Sequence, residues 1–386
     1  RIIGANLGYE QARNRPANSY YGTIDLNLHG ISVVEVCGSG MGRSSGGDVY
    51  FYGTINIDID GSEIAGSVYG GGLAGITGYH ENSTDPYKTS YGQEYMNANG
   101  ISKTTANITL KSGTVGGNIF GGGYGNSSIL NSNRPQDMGA MYGDTYINIQ
   151  GGTVQGSIYG AGEGVHEVTG YDSVAKMYGD THIIKTGGTV VGEIYGGGKG
   201  LSAYPEIATV NGNTYVNIES DVSNSVYGGS AISKVTGNTD VKVKNCTYSA
   251  SIYGGGNAGQ IVGTTSVTLE GATSAGIANT GVTADIYGGG KSAEVTTSTV
   301  YIKTGADASN VFGGGEAASV PTTNVYLQGG NAQNIYGGSN QSGTVTTSNI
   351  GVTSGTATTI YGGNNIAGTT TTTNINLAGG TVTTIY

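Results

Sequence analysis

Short stretches of strict alternation recur along this chain. In Thr214-Tyr215-Val216-Asn217-Ile218 every second residue is apolar, and the same spacing joins Ile147 to Ile149, Val241 to Val243, Val267 to Leu269, Val325 to Leu327 and Ile375 to Leu377. Period-two alternation bounded by glycine predicts short, half-buried β-strands. A Gly-containing turn such as Gly187-Gly188 follows each strand, then an apolar pair such as Ile194-Tyr195, then a Gly-rich corner. The aromatic member of that pair recurs at Tyr69, Phe120, Tyr159, Tyr195, Tyr227, Tyr253, Tyr287, Phe312, Tyr336, Tyr361 and Tyr386, with weaker copies at Cys37 and Ile3. From Tyr253 onward the intervals are 34, 25, 24, 25 and 25 residues. Two or three short strands repeated at constant phase make one coil of a β-solenoid.

The expected fold is all-β: a single-stranded parallel β-helix of about twelve coils, with a basic repeat of about 25 residues. Right-handed winding is expected from the crossover rule. One coil cannot bury its own Ile and Val, so neighbouring coils must cover them, pairing backbones at about 4.8 Å per coil. The apolar pairs named above should therefore point inward. Two residues before each pair lies a small polar slot, at Thr145, Thr181, Thr214, Thr239, Thr265, Ser298, Thr323, Ser348 and Thr373. Equal parity puts these hydroxyls on the same inward face. One continuous solenoid is expected over residues 1–386, with long inserted loops in the coils of 1–215 and regular short coils over 216–386. The chain begins and stops at the same point of the repeat without a capping repeat, so a segment of a longer chain, or a subunit stacking end to end, is expected.

The insertions share one phase. They follow the Gly corner at roughly 4–22, 38–53, 71–106, 123–144, 161–180 and 198–213. Excursions at one phase on consecutive coils should form one lobe, and a seventh at Ala272–Gly281 stands apart. The lobe holds half of the 28 tyrosines and Arg13, Arg15, Arg43 and Arg134. Tyr supplies contact area at low entropy cost, and Arg reads carboxylates and sulfates bidentately. Tyr79, Tyr87, Tyr91, Tyr95, Tyr124, Tyr142, Tyr171, Tyr178 and Arg134 are accordingly the candidates for binding a glycan or a protein surface; the alternative is that they pack the loops onto the solenoid.

Composition narrows the picture. Glycine numbers 74 of 386 residues, tryptophan is absent and proline numbers five. Interior glycine opposes helices, and the missing three-residue period excludes collagen. A net charge of −10 argues against nucleic acid, and no apolar run is long enough to span a bilayer as a helix. From residue 317 onward the chain carries no charge, and a neutral β-rich surface favours self-association, including a filament.

Catalytic chemistry has one candidate region. Asp144 and Asp180 each sit in Met-Tyr-Gly-Asp-Thr, one repeat apart. Two adjacent carboxylates can hold Ca²⁺ or act as acid and base. Arg134, Asp137, Glu163, His166 and Glu167 fall in neighbouring excursions, so Asp144, Asp180, Arg134 and His166 would be the catalytic set of a polysaccharide lyase or hydrolase. The plainer expectation is that each Asp makes a turn hydrogen bond, as Asn213 and Asn238 do in the same slot. On that reading the chain is no enzyme and needs no cofactor. The aromatic ladder is expected to be structural, since stacked rings stabilise a solenoid without any ligand. Cys37 and Cys246 lie too many coils apart to bridge.

The run Gly188-Thr189-Val190-Val191-Gly192-Glu193-Ile194-Tyr195-Gly196-Gly197-Gly198 resembles the Gly-rich β-solenoid repeats of large bacterial surface proteins, often adhesin-like. The resemblance covers nearly the whole chain. It implies an extracellular or cell-surface protein that adheres to polysaccharides, host or cell surfaces. Pectin-lyase-like enzymes and phage tailspikes share the architecture.

Overall fold

In the computed structural model every named element is a β-strand, and every strand pairing with a stated register is parallel: the chain is an all-β parallel solenoid. The structure describes residues 1–4, 18–41, 49–78, 97–98, 100, 102–126, 138–165, 174–275 and 284–386. These form two compact units, 1–183 with 197–212, and 184–196 with 213–386.

In the first unit the strands Asn18–His29, Val49–Asp60, Thr104–Leu110 and Met141–Ile149 form a parallel ladder with Leu26, Ile57, Ile108 and Ile147 in register. A second ladder stacks the corner pairs through Ile2, Val36, Val68, Ile119 and Ile158. A third joins Ser32–Val33, Ser62–Ile64, Gly113–Val115 and Thr153–Val154. In the second unit Val216, Val241, Val267, Val300, Val325, Ile350 and Ile375 are in register along the long ladder. The alternation works as expected. Ile147, Ile149, Val216, Ile218, Val241, Val243, Val267, Leu269, Val325 and Leu327 are buried, each stabilising the fold by about 1.5–3 kcal/mol. Leu377 is exposed and Ile375 half-buried, because no later coil of this sequence covers them.

Most of the inward hydroxyls have a defined partner, while the buried Ser348 hydroxyl has none among the described residues. Thr145 donates to the carbonyl of Gly160 at 2.6 Å, and Thr214, Thr239, Thr265, Ser298 and Thr323 donate to Gly228, Gly254, Gly288, Gly313 and Gly337 at 2.5 Å. Each acceptor is the first glycine after the aromatic residue. That glycine has a steric reason. A Cβ on Gly228 would lie 2.2 Å from the carbonyl oxygen of Gly254, which no side chain can occupy.

The aromatic slot is a stack of rings, buried through Phe312 and half-buried at Tyr336 and Tyr361. Ring centroids are 5.0 Å apart for Tyr69–Phe120 and 4.9 Å for Phe120–Tyr159. In the second unit Tyr195, Tyr227, Tyr253, Tyr287, Phe312, Tyr336 and Tyr361 stack at 4.7–4.9 Å with rings tilted by 10° or less. Each such contact contributes about 0.5–1.5 kcal/mol beyond burial.

The inserted segments are more ordered at their ends than alternation indicated. Residues 18–22 and 49–53, expected in loops, belong to the long strands. Phe51, Thr77, Met141, Met177 and Val210 form an additional buried row there. Val174, Ala175, Ile207 and Ala208 make a small core of their own, with Tyr204 packed against it. Ala74, Ala175 and Ala208 adopt positive φ of 55–56°, a left-handed conformation that costs a residue with a Cβ about 1–2 kcal/mol.

Candidate functional site

Residues of opposite parity to the core face outward from the long ladder of the first unit. On Met141–Ile149 these are Tyr142, Asp144, Tyr146 and Asn148; at the same phase one coil on stand Tyr178, Asp180 and His182. The register extends the rows over preceding coils. Thr23, Thr54, Thr105 and Asp144 form one row, and Asp25, Asn56, Asn107 and Tyr146 another.

Within the second row Asn56 donates to Asp25 at 2.7 Å and Asn107 donates to Asn56 at 2.9 Å. The row continues as a ring pair, Tyr146 and His182, with centroids 4.5 Å apart and planes 4° apart. Burial holds the His182 imidazole below its ordinary pKa, against the pull of Asp180 and Asp144, so it is neutral at pH 7. Burial pushes the Tyr146 phenol up, so its hydroxyl keeps its proton. Because the rings stack on one another, the face presents ring edges, hydroxyl, imidazole nitrogen and amides. Such groups read hydroxyls by hydrogen bonding.

Asp144 and Asp180 do lie on adjacent coils, as the spacing implies. Asp144 Oδ1 accepts the backbone N–H of Asp180 at 2.9 Å, and Lys103 Nζ lies 3.3 and 3.4 Å from its two oxygens. Asn213 and Asn238 do the same: Asn213 Oδ1 accepts the N–H of Asn238 at 2.9 Å, and Asn238 Oδ1 that of Thr264 at 2.8 Å. The bond runs between coils rather than within a turn. It is a rung-making device, the same one that the asparagines make in this slot. Among the described residues no three His, Cys, Asp or Glu side chains come together as a metal site.

Of the binding candidates, Tyr142 is buried and stacks on Tyr178 with centroids 4.2 Å apart, while Tyr124 packs edge-on against Tyr69 at 5.6 Å. Tyr142 and Tyr178 thus stack between adjacent coils, and Tyr124 rests on the aromatic ladder. Tyr79, Tyr87, Tyr91, Tyr95, Tyr171, Arg134 and His166 lie outside the described residues, as do Asp137 and Glu167. Glu163 is buried, accepting the Tyr69 hydroxyl at 2.7 Å and pairing with Lys199 at 2.7 Å. In the second unit the Tyr253 hydroxyl likewise donates to Glu316 at 2.5 Å. These carboxylates pin the aromatic stack.

Tyr146, His182 and the Asp25–Asn56–Asn107 row escaped the sequence reading. Their signal was present: the polar phase of each alternating strand carries them, once consecutive coils are aligned.

Fold and face together define a class, the parallel β-solenoids that carry a polar, hydrogen-bonding outer face. Comparison with family models, curated proteins and solved structures gives no match for this chain. Among the described residues no helix is long and apolar enough to cross a membrane.

Proposed function

We propose that the chain is an adhesin-like, extracellular β-solenoid that binds a glycan or other surface ligand without turning it over. The supporting observation is the outward row Asp25–Asn56–Asn107–Tyr146–His182, a line of hydroxyl-reading groups. Its groups repeat at the coil spacing of about 4.8 Å, so a polymer with repeated hydroxyls meets several of them at once. The bonds already made by Asp144 favour binding over hydrolysis.

A glycan array probed with the wild-type chain and with Tyr146→Ala and Asn107→Ala tests this reading. Selective binding that falls at least tenfold in both variants, with unchanged circular dichroism, is the expected result. Binding unaffected by both removes this face from the account. Sugar release by wild type that is lost in Asp144→Asn would replace binding by catalysis.

A further inference from the structure

The inward row that closes each long strand has one departure. It holds Ile59, Leu110 and Ile149 in the first unit and Ile218, Val243 and Leu269 in the second. Four residues after the hydroxyl slot at Thr181, the same position holds Lys185, which is 1% exposed. A lysine in a core slot is costly unless its charge is met. Nζ donates to Ser220 Oγ at 2.7 Å and to the carbonyl of Asp221 at 2.8 Å, both neutral acceptors. Among the described residues no carboxylate pairs with it.

The coil is open beside this lysine. Among the described residues Thr189–Val190 has no strand partner within the second unit, and the next coil offers only the bridge from Val222 to Tyr248. Asn224 fills in for the missing rung, donating its side-chain amide to the Val191 carbonyl at 2.8 Å. A cleft of about 520 Å³ remains, with Lys185 in its lining. That volume lies within the range of small-molecule sites, about 300–1,000 Å³.

We propose that this cleft binds a monosaccharide-sized sugar acid, its carboxylate on the Lys185 ammonium and its hydroxyls on the surrounding hydroxyl and amide side chains. The lining supports both halves of the assignment. Thr189, Ser223, Asn224, Thr247 and Ser249 offer donors and acceptors for a polyhydroxylated ring, and Val190 and Val222 offer apolar surface. Charge favours a ligand with a single negative charge over one with two. Asp221 shares the lining, its Oδ1 accepting the Thr247 N–H at 2.7 Å, and it repels a dianion such as phosphate. Burial lowers the Lys185 pKa, with Cys246 and Asp221 opposing, and a bound carboxylate would restore it. The site is independent of the outer face of the first unit.

Isothermal titration calorimetry on the full 386-residue chain tests the assignment. The probes are D-glucuronate and D-galacturonate, each beside its neutral parent sugar, and inorganic phosphate. Saturable binding of at least one uronate is expected, at least tenfold tighter than its neutral parent and than phosphate. Lys185→Met should weaken it at least tenfold while filling the slot with an apolar chain of similar length. Ser223→Trp, at an exposed position on the cleft, should block it by bulk and leave the core untouched. Tyr301→Ala, whose ring stacks on Tyr326 outside the cleft, should bind as wild type. The proposal is overturned if neither uronate binds, if the neutral sugar or phosphate binds equally well, or if Lys185→Met and Ser223→Trp both keep the affinity.

Discussion

Replacing Thr239 by valine isolates the hydroxyl ladder. Thr239 is 1% exposed, flanked in register by Thr214 and Thr265, and its Oγ1 lies 2.5 Å from the carbonyl oxygen of Gly254. Valine keeps the shape and puts a methyl where the donor was. A buried carbonyl that loses its partner costs about 1–3 kcal/mol, and valine's better transfer energy offsets only part of that. Serine keeps the donor and loses one methyl, about 0.8 kcal/mol plus a small cavity. The expected losses are therefore about 2 kcal/mol for Thr239→Val and about 1 kcal/mol for Thr239→Ser. Hydrogen exchange followed by mass spectrometry over the corner 250–258 reads the local opening. At about 1.4 kcal/mol per decade, valine should speed exchange roughly 30-fold and serine roughly fivefold. Valine at wild-type protection with serine the worse of the two would refute the argument, because burial alone predicts that order.

Three further outcomes follow from the same packing. Gly228→Ala puts a Cβ 2.2 Å from the Gly254 carbonyl, and should lower the urea midpoint more than Gly363→Ala, whose Cβ meets only Thr370 at 3.5 Å. Lys185→Met should stabilise the unliganded protein at pH 7 by about 1–3 kcal/mol. The folded-state pKa of Lys185 is lowered, so charged lysine opposes folding below that value. The advantage of methionine should shrink as pH rises through the folded value towards 10.5, which urea titrations at pH 7 and 10 would check. Burial pushes the thiols of Cys37 and Cys246 up to about 12 and about 11, so iodoacetamide at pH 8 should label neither in the native protein and both in urea, as counted by intact mass.

Much of this architecture was legible because each coil repeats the same few constraints. Alternation at Val216 and Ile218 gave the inward face, and parity placed Thr214 beside it. The glycine after each aromatic residue is required by close approach of the next corner, which composition alone does not reveal. What alternation missed was the additional buried row Phe51, Thr77, Met141, Met177 and Val210. Met141, Met177 and Val210 each stand four residues before a hydroxyl slot, at the parity of the core, but inside segments read as insertions, and their burial depends on contacts many residues apart. The outer face was equally hidden. Asp25, Asn56, Asn107 and Tyr146 look like unremarkable polar positions until the register aligns them. Asp144 and Asp180 were visible as a pair, but only the geometry shows the first carboxylate accepting the backbone N–H of the second. Lys185 breaks the inward pattern in the sequence itself, at a slot that is apolar in the neighbouring coils.

Co-sedimentation of the full chain with a panel of insoluble polysaccharides, with the supernatant assayed for released sugars, tests the central claim most directly. Selective sedimentation without sugar release, reduced in Tyr146→Ala, is the predicted result. Sugar release, or a chain that stays in the supernatant with every polysaccharide while binding none on an array, would contradict it.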